Sequence, residues 1–305
     1  MSLPTATAMA SEVITIVQDG AFDAFAEILP FLNYGLKEVA DRMLLPQLET
    51  IGTAYAGTAS LTAITISFTN STSTISDSGS ALITSGLHVG ETITITGADE
   101  SGNNQTTTII SMASGGGSMV VAGTLTDESA GESVTVANTP LNNLPLPSDF
   151  HKDLRYVYST THNCKIKVYD SLPLLLREFT YIDQSGRIYG VALKGNKMYF
   201  QRIPASVEAL TYQYFKHPTD LVETTDTPDD FEGRCEHFAR RLLVSYAAKE
   251  IYTLIEDGIE GQKANTLHYT QMFEKHLADL RAFIGDEASE PVEVNDDMRW
   301  GAYSL

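Results

Sequence analysis

Basic residues are scarce in this chain. Its 305 residues hold 20 Lys and Arg against 39 Asp and Glu, a formal net charge of −19. Such a chain has no general attraction for a phosphate backbone and fits poorly to a protein that grips nucleic acid. The same charge suits a wall past which DNA slides without sticking, because like charges repel at short range even in salt. Cysteine is rarer still, with Cys164 in a predicted strand and Cys235 in a predicted helix. That excludes a disulfide framework and fits two small buried hydrophobes in a protein made in a reducing cytosol. No apolar run approaches bilayer length, and Met1 to Thr5 show no basic region leading into an apolar stretch. Neither a membrane span nor a secretory signal is therefore expected.

Signatures of chemistry are missing too. There is no HExxH, no paired CxxC and no glycine loop followed by Lys-Ser or Lys-Thr; Gly115 to Gly117 lack the lysine. His151, His162, His217, His268 and His276 are scattered without ligand spacing. Cys235 and His237 stand two apart on a predicted helix, where side chains face different ways, so they make a poor nucleophile and base. Glu223, Asp226, Asp229, Asp230 and Glu232 form an acidic cluster that lacks the Ca²⁺-loop spacing and reads as caps and solvated loop. No catalytic residue, no metal and no cofactor is expected, and no enzymatic activity.

What is present is a strong helical signal from Asp229 to Ile284. Phe231, Cys235, Phe238 and Leu242 fall at spacings of four, three and four, and Leu243, Ala247, Ile251 and Leu254 continue a neighbouring stripe. That period lays apolar side chains along one helix face. Asp229 and Asp230, after Pro228, suit the cap and first turn. Gly258 and Gly261 punctuate the chain before a second arm with Phe273, Leu277, Leu280 and Ile284, again at four, three and four. Two such helices joined by a short turn pack antiparallel. Residues 8–48 read as helical as well, with Phe22, Phe25, Leu29, Leu32, Leu36, Val39 and Met43 as the seam. Pro30 predicts a kink there or a new helix start.

From Leu61 to Thr139 there is no lysine or arginine, and Ser, Thr and Gly abound. Ile64 to Phe68, Thr92 to Thr96, Thr106 to Ile110 and Ser133 to Val136 alternate with the period of half-buried strands, between Gly- and Asn-rich turns. The alternation is too regular for a solvated coil and predicts a small all-β sandwich or barrel. The absence of basic residues suits an outward-facing part that avoids anionic partners. Beyond it, Arg155 to Tyr158 and Cys164 to Tyr169 read as strands. Ser171-Leu172-Pro173 opens a short helix through Phe179. Arg187 to Lys194 and Lys197 to Arg202 form a hairpin around Gly195-Asn196, and a third strand, Ala209 to Phe215, is expected to pair with it. The last segment, from Asp286, is acidic and aperiodic, yet it ends in Trp300 and Tyr303. Aromatic anchors dominate interfaces, which makes these two the candidate docking residues of the tail.

The expected fold is therefore α+β: a helical bundle with a small antiparallel β-sheet, plus an inserted all-β sandwich or barrel. Residues 1–60 and 140–285 form the discontinuous helical domain, 61–139 the inserted domain and 286–305 an extended acidic tail. Phe231, Phe238, Leu242, Phe273, Leu277 and Leu280 are the candidate helical core or interface residues.

One succession of features is similar to a known family. Phe31-Leu32-Asn33-Tyr34-Gly35-Leu36-Lys37-Glu38-Val39-Ala40 precedes Leu45-Pro46-Gln47-Leu48-Glu49. Leu144-Pro145-Leu146-Pro147-Ser148-Asp149-Phe150 is followed by strands, then by Arg202-Ile203-Pro204-Ala205 leading into Leu210-Thr211-Tyr212-Gln213-Tyr214-Phe215. Tyr246-Ala247-Ala248-Lys249-Glu250 then lies in the first arm of the hairpin. This order resembles the head-to-tail adaptor (connector) proteins of tailed bacteriophages, the class of podovirus adaptors and tail tubular protein A. The resemblance runs from about Met9 to Thr53 and from Leu144 to Ile284. The insertion lies outside it, and its stretch Leu87 to Gly97 resembles short β modules inserted in phage virion proteins. The resemblance implies a structural virion protein, made in the host cytoplasm and placed at the head–tail junction. It implies a homo-oligomeric ring, a dodecamer in the family, that binds portal protein and a tail or nozzle protein. Genomic DNA would pass through without specific binding, and no membrane is involved. The other reading, from fold analogy, is a virion or cell-surface binding module whose β domain recognises a glycan.

Overall fold

The computed structural model describes residues 3–181, 183–256 and 263–285. In chain order its elements are α1 (Ala6–Val17), α2 (Phe25–Arg42), β1 (Glu49–Ala56), β2 (Ser60–Ala63), β3 (Ile66–Thr69), β4 (Thr74–Asp77), β5 (Thr92–Thr96), β6 (Thr106–Met112), β7 (Ser118–Val121), β8 (Val134–Thr139), β9 (Asn143–Pro145), β10 (Phe150–Ser159), β11 (Cys164–Tyr169), α3 (Leu172–Glu178), β12 (Gly190–Lys194), β13 (Lys197–Phe200), β14 (Glu208–Lys216), α4 (Glu236–Ile255) and α5 (Ala264–Ile284). They divide into two compact units, 1–50 with 215–305, and 51–214.

The first unit is helical. Its centre is α4, which packs against α1, α2 and α5 and buries Phe238, Leu242, Leu243, Tyr246, Ala247 and Ile251. Because three helices surround it, apolar residues are needed on more than one of its faces. Tyr246 meets Phe273 edge-on with ring centroids 5.2 Å apart, and Tyr252 stacks on Tyr269 at 5.4 Å. Near the start of α4, Phe238 meets Phe283 at 5.3 Å. Rising numbers on α4 thus face falling numbers on α5, so the two run antiparallel. Leu254, placed in the buried stripe by its spacing, is exposed instead. Gly35 of α2 lies so close to α4 that an added Cβ would sit 3.2 Å from Tyr246 and 3.3 Å from Leu243. Thr5 caps α1 by accepting the Ala8 N–H at 3.2 Å. Pro30 lies inside α2 and opens no new helix. Asp229 and Asp230 open a separate short turn, and α4 begins at Glu236. Gly258 and Gly261 fall outside the described residues. Among the described residues no helix is long and apolar enough to cross a membrane.

The second unit holds two seven-stranded sheets. In one the order is β2-β8-β5-β6-β7-β4-β3. Its pleat sends Ile93 and Ile95 inward with Ile66, Phe68, Ile75, Ile109, Met119, Val134 and Val136. Each such side chain removed from water contributes about 1.5–3 kcal/mol before the cost of ordering it. The threonines between them face outward, where Thr62 and Thr135 hydroxyls lie 2.8 Å apart and those of Thr94 and Thr106 3.2 Å.

The other sheet has the order β1-β14-β10-β11-β12-β13-β9. It is mixed: β10 and β11 are antiparallel, but β12 lies parallel to β11, with α3 in the crossover. Here the architecture departs from expectation. Fourteen strands in two seven-stranded sheets among the described residues make a mostly β chain, in place of a helical bundle with a small antiparallel sheet. Two stretches outside the expected strands account for much of the difference. Glu49–Ala56 and the proline-bearing Asn143–Pro145 supply the two edge strands β1 and β9. The strand expected to join the 190–200 hairpin, β14, sits between β1 and β10 at the far side of the sheet. Gly57 turns the chain from β1 toward β2 with φ +114°, and an added Cβ there would lie 2.6 Å from the Ser206 carbonyl oxygen.

Candidate functional site

The six residues expected to form the helical core are all buried: Phe231, Phe238 and Leu242, with Phe273, Leu277 and Leu280 of α5. They share one cluster with α1 and α2 side chains. Trp300 and Tyr303 lie outside the described residues. Exposed large apolar side chains on the described helices of the first unit are Tyr34, Leu254, Leu267 and Phe283.

The acidic cluster at 223–232 serves turns. Asp226 accepts the N–H groups of Val222 and Glu223, both at 2.7 Å, and these bonds hold its carboxyl below the usual range. Asp230 is buried and accepts the Thr219 N–H at 3.1 Å; burial pushes its carboxyl up. Asp229 accepts the Thr227 hydroxyl. Among the described residues no three metal-ligating side chains converge.

Cys235 is buried, which raises its thiol, while His237 packs on the rings of Phe238 and Phe283. Cys164 is half-buried and also free. Ser245 lies 3.4 Å from His276 Nδ1, but its hydroxyl donates to the Arg241 carbonyl at 2.6 Å. The serine proton is thus committed to the helix backbone. His162 Nε2 lies 3.8 Å from the buried carboxylate of Glu208, and the neighbouring Arg187 donates to Cys164 Sγ at 2.9 Å.

Two open hollows mark the surface. One, of about 320 Å³, is lined by Asp99, Glu100, Asp127, Glu128 and Glu132. Glu128 is occupied there, accepting from Asp99 N, Glu100 N and Asn103 Nδ2 at 2.9, 3.2 and 2.8 Å. The other, of about 440 Å³, is lined by Phe25, Leu29, Pro30, Tyr34 and Val222, with the Lys37–Asp220 ion pair at its rim.

A densely bonded polar group lies where the first sheet joins the rest of its unit. Asn138 at the end of β8 accepts the Ala59 N–H at 2.8 Å and donates to the Gly57 carbonyl at 3.1 Å, tying the incoming strand to the outgoing one. Its amide also donates to Glu91, whose carboxylate accepts the His88 N–H at 3.0 Å. Glu91 is 2% exposed, and burial pushes its carboxyl up to about 7. His88 Nε2 is buried without a hydrogen-bond partner, and burial lowers the imidazole to about 4. The ring is therefore neutral at physiological pH. Thr58 N donates to the Pro204 carbonyl at 3.0 Å, anchoring the same crossing to the segment before β14. Sequence reasoning missed this clasp because Glu91 and Asn138 stand 47 residues apart. A Glu in the alternating stretch 87–97 was the one available sign.

Searches of protein-family models and of curated proteins find no match to this chain.

Proposed function

We propose that this chain is a structural assembly protein of the tailed-bacteriophage head-to-tail adaptor class. Copies stand side by side in a ring below the portal, extend the DNA channel and offer a platform to the tail or nozzle protein. The mechanism is interface burial and symmetry, without chemistry. The acidic surface lets genomic DNA pass without specific binding. The tail 286–305, through Trp300 and Tyr303, is the portal-docking element, and the protein resides in the virion after synthesis in the host cytoplasm.

The observation that carries this reading is the way residues 1–50 and 215–285 close into one helical core around α4, with the exposed apolar side chains Tyr34, Leu254, Leu267 and Phe283 on its helices. The order of features that resembles adaptors runs through those same stretches. Electron microscopy of the full chain, alone and mixed with portal protein, tests it. Closed rings, or assembly triggered by portal, are the expected result. A chain that stays monomeric with portal and binds sugars on a glycan array would overturn it in favour of a binding module.

A further inference from the structure

Charge is unevenly distributed along the chain. Residues 151–202 carry nine of the 20 basic residues and four of the 39 acidic ones, a formal +5; the remainder holds eleven against 35, or −24. Within this basic stretch, β10 and β11 set cations beside tyrosines. The register pairs Tyr158 with Lys165 and Val157 with Ile166. With a two-residue pleat, Tyr156, Tyr158, Lys165 and Lys167 share one face, and Val157 and Ile166 point the other way into the core.

That face is pre-set. The Tyr156 and Tyr158 rings lie 6.1 Å apart and only 11° from parallel, and Tyr158 Oη donates to Asn163 Oδ1 at 2.6 Å. Lys165 Nζ sits 5.9 Å from the Tyr156 ring centroid, and Lys167 Nζ 4.5 Å from that of Tyr169. Lys167 also pairs with Glu178 at 3.1 Å. Tyr156 is 38% exposed. Tyrosine is among the side chains that dominate interface energies, and cations already held over rings lose little freedom on docking.

The complement to such a face is acidic and flat. Nucleic acid is the wrong complement: beyond this face it meets a molecule that is otherwise strongly negative. Another copy of this chain has the required charge and is present at the same concentration. We propose that the tyrosine–lysine face of β10 and β11 docks on an acidic surface of a second copy, a head-to-tail contact of the kind that closes rings. This inference rests on the ring reading above and names the side of the subunit that makes it.

Sedimentation of the full chain at 50 and 500 mM NaCl tests it, with Lys165→Glu and Tyr156→Ala as variants whose melting should match the parent. Association of the parent should weaken at least tenfold at high salt. Each variant should lose at least tenfold at low salt, and a 20-nucleotide oligothymidylate should not bind. Variants that assemble as well as the parent would sink the contact and leave the ring reading standing. A parent that is monomeric alone and with portal protein would remove both. Oligothymidylate binding that Lys165→Glu abolishes would assign the face to nucleic acid and overturn the proposal.

Discussion

The side-chain nitrogen of Asn138 lies 3.0 and 3.1 Å from the two carboxylate oxygens of the buried Glu91, where the incoming and outgoing strands of the first sheet meet. Burial raises the Glu91 carboxyl from its ordinary 4.5 to about 7. The neutral form is the one the fold prefers, so its contribution is complete below about pH 4.5 and is lost as pH rises through about 7. The expected loss across that window is on the order of 3 kcal/mol at most. Urea unfolding at pH 5 and pH 8 measures it. In Glu91→Gln the midpoint should no longer fall over this range, and an unchanged slope in that variant would assign the dependence to another group.

Asn138→Ala removes the ties to Ala59, Gly57 and Glu91 together and leaves a buried carboxyl without its amide. A loss of about 2–3 kcal/mol is expected, by analogy with other unsatisfied buried polar groups. Hydrogen exchange should report it first at β2 and β8, whose ladder includes Ser60 opposite Ala137. Protection there equal to that of the parent would show that the ladder alone holds the crossing.

Gly57→Ala places a methyl group 2.6 Å from the Ser206 carbonyl oxygen at a residue with φ +114°. Strain and collision act together, with an expected cost of about 2 kcal/mol or more. Thermal melting of the variant is the check, and a melting temperature within a degree of the parent would contradict the geometry.

Leu242 is wholly buried at the centre of the helical unit. Leu242→Ala should cost about 2–5 kcal/mol, with the cavity adding to the lost transfer energy. Cutting the chain after Asp286 makes the opposite pattern. That truncation should leave the unfolding midpoint of the helical unit in place and abolish docking to portal protein in a pull-down. Normal docking by the truncated chain would refute the role given to Trp300 and Tyr303.

Legibility in the sequence followed the range over which side chains interact. Phe273, Leu277 and Leu280 recur with the helical period, and Ile93 and Ile95 with the strand period, so each set announces its buried face locally. Strand β7 did not, because Ser118–Val121 is four residues long and follows a glycine run. Strand β1 was hidden at the end of a helical stretch, and it leaves Ile51 exposed, against the usual apolar-inward sign. Strand order is non-local by nature. Nothing in Glu208–Lys216 indicates that it pairs beside β10 when a nearer hairpin stands just upstream. The Glu91–Asn138 clasp was illegible for the same reason, since its meaning depends on two strands meeting.

The helix at the heart of the first unit, α4, also sets a timetable for synthesis. The apolar stripes of α1 and α2 leave the ribosome about two hundred residues before α4 does, which is a wait on the order of 10–40 s at 5–20 residues per second. Throughout that interval Met9, Val13, Leu32 and Leu36 lack the α4 and α5 side chains that complete their cluster, while the strands between can already pair. A nascent chain stalled before residue 236 is thus the stage at which this protein most needs a chaperone.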